Sequence, residues 1–276
     1  MEIESIAILL LIITTKCVHE GGLIALKKIR IIARLDIKDD YVVKGRQLEG
    51  VRKVGNPNEL AYKYYNEGID EILYVDNVAS LYNRNSLSDV LFETTKNIFI
   101  PVTVGGGIRS VNDVRELLSK GADKVAINTA AIGNENIIRE VSDEFGSQCM
   151  VLSIQAKKNS NATWEALYDN GREHSGLDVI EWAKRGEELG AGEILLTSVD
   201  KDGMMAGMDF DLIDRVCSTV NIPVIACGGV SKADDVIVAD ECGASAVAIG
   251  SILHYNKTDV IRLKEEVMKR GGIVRL

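Results

Sequence analysis

Cysteine, proline, aromatic residues and basic charge are all sparse in this chain, and each scarcity closes off a class of protein. The 276 residues include 5 Cys with no CxxC pair among them, so neither a disulfide framework nor a zinc-ribbon spacing is available. Cys17, Cys149, Cys217, Cys227 and Cys242 read as reduced thiols of a cytoplasmic protein. With 3 Pro and 46% hydrophobic residues the chain is neither disordered nor fibrous. Lys and Arg total 32 against 41 Asp and Glu, a formal net charge of −9, which argues against a nucleic-acid or anionic-membrane partner. An anionic substrate must therefore be held by local groups. The only membrane-like stretch, Ile6 to Ile13, falls far short of the roughly 20 apolar residues of a spanning helix. The chain opens Met1-Glu2-Ile3-Glu4, without the basic start of a signal peptide. Residues 1–25 share none of the patterns below and are expected to be an extension outside a single domain spanning 26–276.

An internal repeat sets the architecture. Glu71-Ile72-Leu73 is echoed by Glu193-Ile194-Leu195, 122 residues later. Ile100-Pro101-Val102 with Gly106-Gly107 matches Ile222-Pro223-Val224 with Gly228-Gly229 in the same register, as Gly121-Ala122 matches Gly243-Ala244. Each half alternates short β-branched runs with longer amphipathic ones, the pattern of βα units on a parallel sheet. The expected strands are Arg30–Leu35, Ile72–Val75, Pro101–Val104, Lys124–Ile127, Met150–Ile154, Ile194–Thr197, Pro223–Ala226 and Ala246–Ile249. Helices are expected at Asn58–Glu67, Val111–Lys120, Asp178–Leu189 and Asp209–Val220, with Gly68, Gly121 and Gly190 at exits. Eight strands in two equal halves predict an α/β fold, a (β/α)8 TIM barrel; a doubly wound open sheet gives no reason for a two-fold repeat.

In such barrels chemistry gathers at the C-terminal strand ends. Gly106 and Gly107 after the third strand, with Asn128 and Thr129 after the fourth, read as one phosphate cradle. Gly228 and Gly229 after the seventh, with Gly250 and Ser251 after the eighth, read as its repeat. Two cradles imply a bisphosphate substrate; the alternative is a set of tight turns with no ligand. Asp36 closes the first strand, and its counterpart in the second half is Gln155, 119 residues on, a slip of three from the main register. Asp76, Asp200 and Asp202 also end strands, where a helix N-cap or loop ion pair is the plain alternative. His19, His174 and His254 lie elsewhere, so no histidine triad, metal site or cofactor is expected. If Asp36 faces inward, pleat alternation turns Arg34, Ile32 and Arg30 inward too. Arg30, Glu71, Lys124 and Glu193 then gather at the floor, as a structural plug or as a gate; sequence physics alone favours the plug. Glu71 and Asp76 are five apart, so strict alternation cannot turn both inward.

From Arg30 onward the chain resembles the cyclase subunit of imidazole glycerol phosphate synthase. The specific runs are Arg30-Ile31-Ile32-Ala33, Asp36-Ile37-Lys38-Asp39, Val43-Lys44-Gly45, Val104-Gly105-Gly106-Gly107, Phe145-Gly146-Ser147-Gln148 and Gly190-Ala191-Gly192-Glu193 through Thr197-Ser198. The resemblance implies that Arg30, Glu71, Lys124 and Glu193 are an ammonia gate on which a glutaminase subunit docks. It implies Asp36 as one of two catalytic carboxylates, with Lys44, Asp76, Asn128, Thr197 and Asp202 around the substrate and Gly203 beside a phosphate.

Three departures stand out. Gln155 occupies the second catalytic carboxylate's position and cannot act as acid or base. Arg34 replaces a small Cys, and Asp202-Gly203-Met204 lacks the threonine of the loop motif. Together these resemble the cyclase-like paralogues associated with surface polysaccharide, which pass ammonia to a sugar amidotransferase. A synthase subunit forming imidazole glycerol phosphate and the aminoimidazole ribotide is the leading expectation, and that paralogue is the alternative. The related barrel isomerase shares the repeat but does not need the floor ring.

Overall fold

The computed structural model describes residues 28–77 and 87–276, so the expected boundary at residue 25 and the run Ile6 to Ile13 lie outside the described residues. Eight parallel strands form a closed ring: β1 (Arg30–Lys38), β4 (Glu71–Asp76), β5 (Val102–Gly105), β6 (Lys124–Ile127), β7 (Met150–Lys158), β10 (Glu193–Ser198), β11 (Val224–Cys227) and β12 (Ala246–Ile249). Pairing of β7 with β10 and of β12 with β1 closes the barrel. All eight expected strands are present with shifts of a residue or more at some ends. Helices fill the crossovers, including α1 (Pro57–Asn66), α2 (Leu87–Thr95), α3 (Val111–Ser119), α4 (Thr129–Gly133), α5 (Asn136–Phe145) and α6 (Val179–Glu188). They continue with α7 (Phe210–Cys217), α8 (Ala233–Glu241), α9 (Ser251–His254) and α10 (Val260–Lys269). Their starts are written locally: Asn56 caps α1 ahead of Pro57, Ser110 and Asp113 form a capping box on α3, and Asp178 caps α6. Asp209 likewise caps α7, whose last helical residue is Cys217 rather than the expected Val220.

The sequence reading missed four strands. β2 (Tyr41–Arg46) and β3 (Glu49–Gly55) form an antiparallel hairpin that extends β1, and β8 (Trp164–Tyr168) and β9 (Glu173–Asp178) do the same for β7. The hairpins occupy equivalent places in the two halves, and they absorb the three-residue slip. Ile32 pairs with Glu71 and Val151 with Glu193, so the register itself aligns the halves 119 apart on the first strand and 122 apart on the second. By the same register Asp36 lies beside Val75 and Gln155 beside Thr197, which makes Gln155 the structural counterpart of Asp36.

Apolar packing falls mainly into two layers, with a small third cluster of Leu48, Leu167 and Val199. Most of the core lies between strands and helices, with Ile31, Ala33, Leu35, Tyr64, Leu117, Trp182 and Val247 among its buried members. A smaller cluster fills the lumen: Ile32, Leu73, Ala126, Val151, Leu195, Ile225, Ala246 and Ala248. The alternation of these lumen residues with the outer ones is the period of two that a strand imposes.

Candidate functional site

The floor of the barrel is a ring of alternating charge. Arg30 Nη1 lies 2.5 Å from Glu71 Oε1 and Nη2 2.5 Å from Glu193 Oε1. Lys124 Nζ closes the other side, 2.8 Å from Glu193 Oε2 and 3.3 Å from Glu71 Oε2. Each carboxylate is held by both cations, so the four expected floor residues do come together. The glutamates are buried, while Arg30 and Lys124 keep part of their surface exposed. Between this ring and the polar mouth the lumen is lined largely by the smaller apolar cluster, with Thr103 and Ser153 beside Leu73 and Leu195 in the register.

At the opposite end the inward face of β1 presents Arg34 and Asp36, both buried. Arg34 Nε donates to Asp36 Oδ1 at 2.8 Å, and its Nη1 reaches Thr197 Oγ1 at 3.0 Å and Cys227 Sγ at 3.2 Å. The guanidinium thus crosses from β1 to β10 and β11 over the lumen. Lys44 on β2 donates to Asp36 Oδ2 at 2.7 Å and to both oxygens of Asp202, at 2.9 and 3.1 Å. Two cations and two carboxylates balance inside the protein, the arrangement that makes buried charge tolerable. Burial pushes the Asp36 carboxyl up, but the Arg34 and Lys44 charges outweigh it and hold it well below the usual carboxylate range. Lys44 is correspondingly held above the usual ammonium range: burial opposes its charge, and Asp36 and Asp202 overcome that opposition.

The first cradle is open. A cavity of about 340 Å³ lies over β4 to β7, lined by Asp76, Gly106, Gly107, Thr129, Ser153 and Gln155 among others. Gly106 has φ +97°, and a Cβ there would sit 2.4 Å from the Asp76 carbonyl oxygen, so only glycine lets this turn approach β4. Asp76 ends its strand, and both it and the neighbouring Val75 line the cavity, which resolves the conflict of alternation noted for Glu71 and Asp76. Asn128 lines the cavity too, but its Nδ2 donates to the carbonyls of Ser153 and Leu167 and its Oδ1 accepts from Thr129. Its side chain therefore ties β8 to the barrel. Among the described residues, three buried polar atoms near strand ends have no hydrogen-bond partner: Asn77 Oδ1, Gln155 Oε1 and Ser198 Oγ. Such groups at a barrel mouth are what a bound polar ligand satisfies.

The second cradle is nearly full. Gly203, Gly228, Gly229, Gly250 and Ser251 surround about 20 Å³, room for a water molecule or two, and Arg34, Lys44 and Asp202 line the same space. Gly229 has φ +94° and a Cβ there would lie 2.2 Å from the Gly207 carbonyl oxygen. The repeat therefore gives two equivalent backbones with unequal contents.

Asp200 follows the plain alternative. Its carboxylate binds Lys157 at 2.5 Å and the Lys158 amide at 2.8 Å, a clamp between two strand ends. His254 belongs nearer the site than its sequence position suggested. It is buried in α9, with Nε2 3.0 Å from the Arg34 carbonyl oxygen and Nδ1 2.8 Å from the Tyr64 hydroxyl. Burial, aided by the Lys44 charge, lowers its pKa to about 4 and keeps the ring neutral. A histidine just after Ile252-Leu253 in a short helix gave no sequence signal of this contact. Among the described residues no cluster of His, Cys, Asp and Glu is arranged for a metal, and no helix is long and apolar enough to cross a membrane.

Comparison with known proteins gives the family. The sequence pattern of the histidine biosynthesis protein family matches residues 30–259. The chain is 57% identical over 210 residues to the imidazole glycerol phosphate synthase subunit HisF of Legionella pneumophila, covering 76% of this chain and 99% of that protein. It is 48% identical over 247 residues to the subunit HisF of Pyrococcus furiosus, covering 90% and 98%. For the Lactococcus lactis subsp. cremoris MG1363 subunit the identity is 46% over 242 residues, covering 87% and 93%. Barrel, repeat and similarity together place the chain in the histidine biosynthesis protein family, among the HisF subunits of imidazole glycerol phosphate synthase.

Proposed function

We propose that this chain is the synthase subunit of a glutamine amidotransferase of the cytoplasm, taking ammonia from a glutaminase subunit docked on the barrel floor. The observation that carries the reading is the alternating ring Arg30–Glu71–Lys124–Glu193, set at one end of an apolar lumen whose other end is the polar mouth. A ring with two partly exposed cations suits a gate better than a plug, since a purely structural core gains little from four charges. At the mouth the substrate is a bisphosphate, a phosphoribulosyl-formimino aminoimidazole carboxamide ribonucleotide. Ammonia condenses with its ketone, water leaves, and ring closure with cleavage yields imidazole glycerol phosphate and the aminoimidazole ribotide. Gly106, Gly107 and Thr129 take one phosphate, and Gly203, Gly228, Gly229, Gly250 and Ser251 the other. Asp36 moves protons; Lys44, Asp76, Thr197 and Asp202 position the substrate, and Asn128 supports the wall.

A second reading is favoured by one specific observation. Gln155 stands at the register position that mirrors Asp36, and Asp36 itself is neutralised by Arg34 and Lys44. A barrel with one amide and one ion-paired carboxylate is weakly equipped for proton transfer. It can still conduct ammonia to another acceptor, such as a sugar amidotransferase. Assay of the purified chain with the bisphosphate substrate and ammonium salt separates the readings, because it bypasses the glutaminase. Turnover supports the synthase reading; substrate binding without turnover supports the second.

A further inference from the structure

Arg34 has two roles available and performs only one of them in this structure. Its Nε and Nη1 are spent on Asp36, Thr197 and Cys227, while the guanidinium also lines the small space between Gly228, Gly229, Gly250 and Ser251. Among the described residues its Nη2 makes no hydrogen bond. Lys44 lines the same space and holds the other oxygen of Asp36. The equivalent cavity of the first half, lined by Gly106, Gly107 and Thr129, has neither cation and is open. An anion entering the second cradle therefore meets a preplaced guanidinium already committed to a carboxylate.

We infer that Arg34 couples anion binding at the Gly228–Gly229 cradle to the release of Asp36. A phosphate at Gly229 and Ser251 competes with Asp36 for the guanidinium, because planar N–H pairs match phosphate oxygens as well as they match a carboxylate. As Arg34 turns to the phosphate, the small space opens and Asp36 keeps Lys44 alone. A carboxylate relieved of one of two cations is a better proton acceptor. Of the groups that face Asp36, Arg34 on its own strand, Lys44 on β2, Asp202 after β10, Cys227 on β11 and His254 on α9, two are cations that touch it and line the cradle; Lys44 is also held by both oxygens of Asp202, whereas among the described residues Asp36 is the one carboxylate on Arg34, so Arg34 is the cation that a phosphate can draw away. Asp36 is thus held inert until substrate phosphate arrives. The inference rests on the proposed function in taking this turn as a phosphate site, and deepens it by assigning Arg34 as the positioning residue that senses occupancy.

Linkage makes the idea measurable with inorganic phosphate and the full-length protein, since what phosphate does to Asp36, Asp36 does to phosphate. Amide chemical shifts of Gly229 and Ser251 report this cradle, and those of Gly106 and Thr129 report the other as an internal control. Asp36→Asn should tighten phosphate at Gly229 and Ser251 by about tenfold, the scale of ordinary coupling between sites. Arg34→Met should weaken it by about as much, and the double variant should bind no better than Arg34→Met alone. Simple loss of a repelling charge would instead let Asp36→Asn tighten binding equally in both backgrounds, and that result overturns the inference. Phosphate that shifts Gly229 and Ser251 in the parent protein but is indifferent to Asp36→Asn also overturns it, while leaving the cradle itself intact. No shift at those amides in any variant means the cradle reading fails and takes this inference with it. Should Arg34→Met not fold, which loss of the control amides reveals, Arg34→Lys keeps the charge but not the fork and should show the same direction, more weakly.

Discussion

Lys264 Nζ on the last helix lies 2.8 Å from Asp70 Oδ1, and both side chains are buried. The same carboxylate accepts the Ile31 amide at 2.7 Å, and Lys264 also donates to the Gly68 carbonyl at 2.6 Å. One pair therefore joins α10, the end of α1 and the start of β1, one residue before Glu71 of the floor. Lys264→Met strands a buried carboxylate and should cost about 3–5 kcal/mol of stability, whereas Lys264→Met with Asp70→Leu should recover part of that loss. Chemical denaturation of the two variants measures it, and equal stability in both would contradict the role.

The floor ring makes a kinetic expectation. Lys124→Ala should lower glutamine-dependent turnover by about tenfold while ammonia-dependent turnover stays within about twofold, because added ammonia reaches the mouth without crossing the floor. Equal losses in both assays would mark the ring as structural.

Acid should weaken the fold through His254 before it reaches the carboxylates. Its pKa, lowered to about 4 by burial, lies below that of an unfolded histidine. The unfolded chain therefore binds the proton first, and stability that is full above pH ~6.5 declines as pH falls toward 4. By pH ~5 the loss from this group is about 2 kcal/mol. His254→Gln should flatten the stability profile between pH ~6.5 and ~5; an unchanged slope would place the titration elsewhere. Asp36, depressed by Arg34 and Lys44, adds its own loss only at lower pH.

Restoring the missing carboxylate tests the mouth. Gln155→Asp should raise ammonia-dependent cyclase activity, and Gln155→Asp with Arg34→Cys should raise it further, toward the range of about 10²–10⁴-fold typical of one positioned acid or base. A flat baseline in both, with substrate bound, would favour the ammonia-conducting reading. Strong activity in the unaltered chain would show that Gln155 is not disabling.

What could be read before the structure follows from where local signals and tertiary contacts coincide. The barrel strands announced themselves because Pro101 and Pro223 stand at equivalent strand entries, each followed by a short β-branched or apolar run, Val102-Thr103-Val104 and Val224-Ile225-Ala226. Arg34 and Asp36 were legible as inward-facing partners from the pleat alone. The β2–β3 hairpin was not, since Glu49–Gly55 buries almost nothing and so carries no apolar period. Contacts such as Tyr64 with His254, or Trp164 Nε1 with Asp209 Oδ2 at 3.0 Å, join residues 190 and 45 positions apart and leave no trace in spacing. Lys44 reached the site only through the family resemblance, because the hairpin that delivers it was itself unseen.

The floor ring also acts as a test of correct closure. Arg30 and Glu193 are 163 residues apart and meet only when the second half of the chain has come round to the first. The repeat does not duplicate the cations: the register places Cys149 where the first half has Arg30, and Ala246 where it has Lys124. A half-barrel alone, or a sheet left open between β7 and β10, would hold unmatched charges against an apolar layer. Misassembled forms are thereby penalised, so the ring proposed above as an ammonia gate also tells the chain that its barrel is complete.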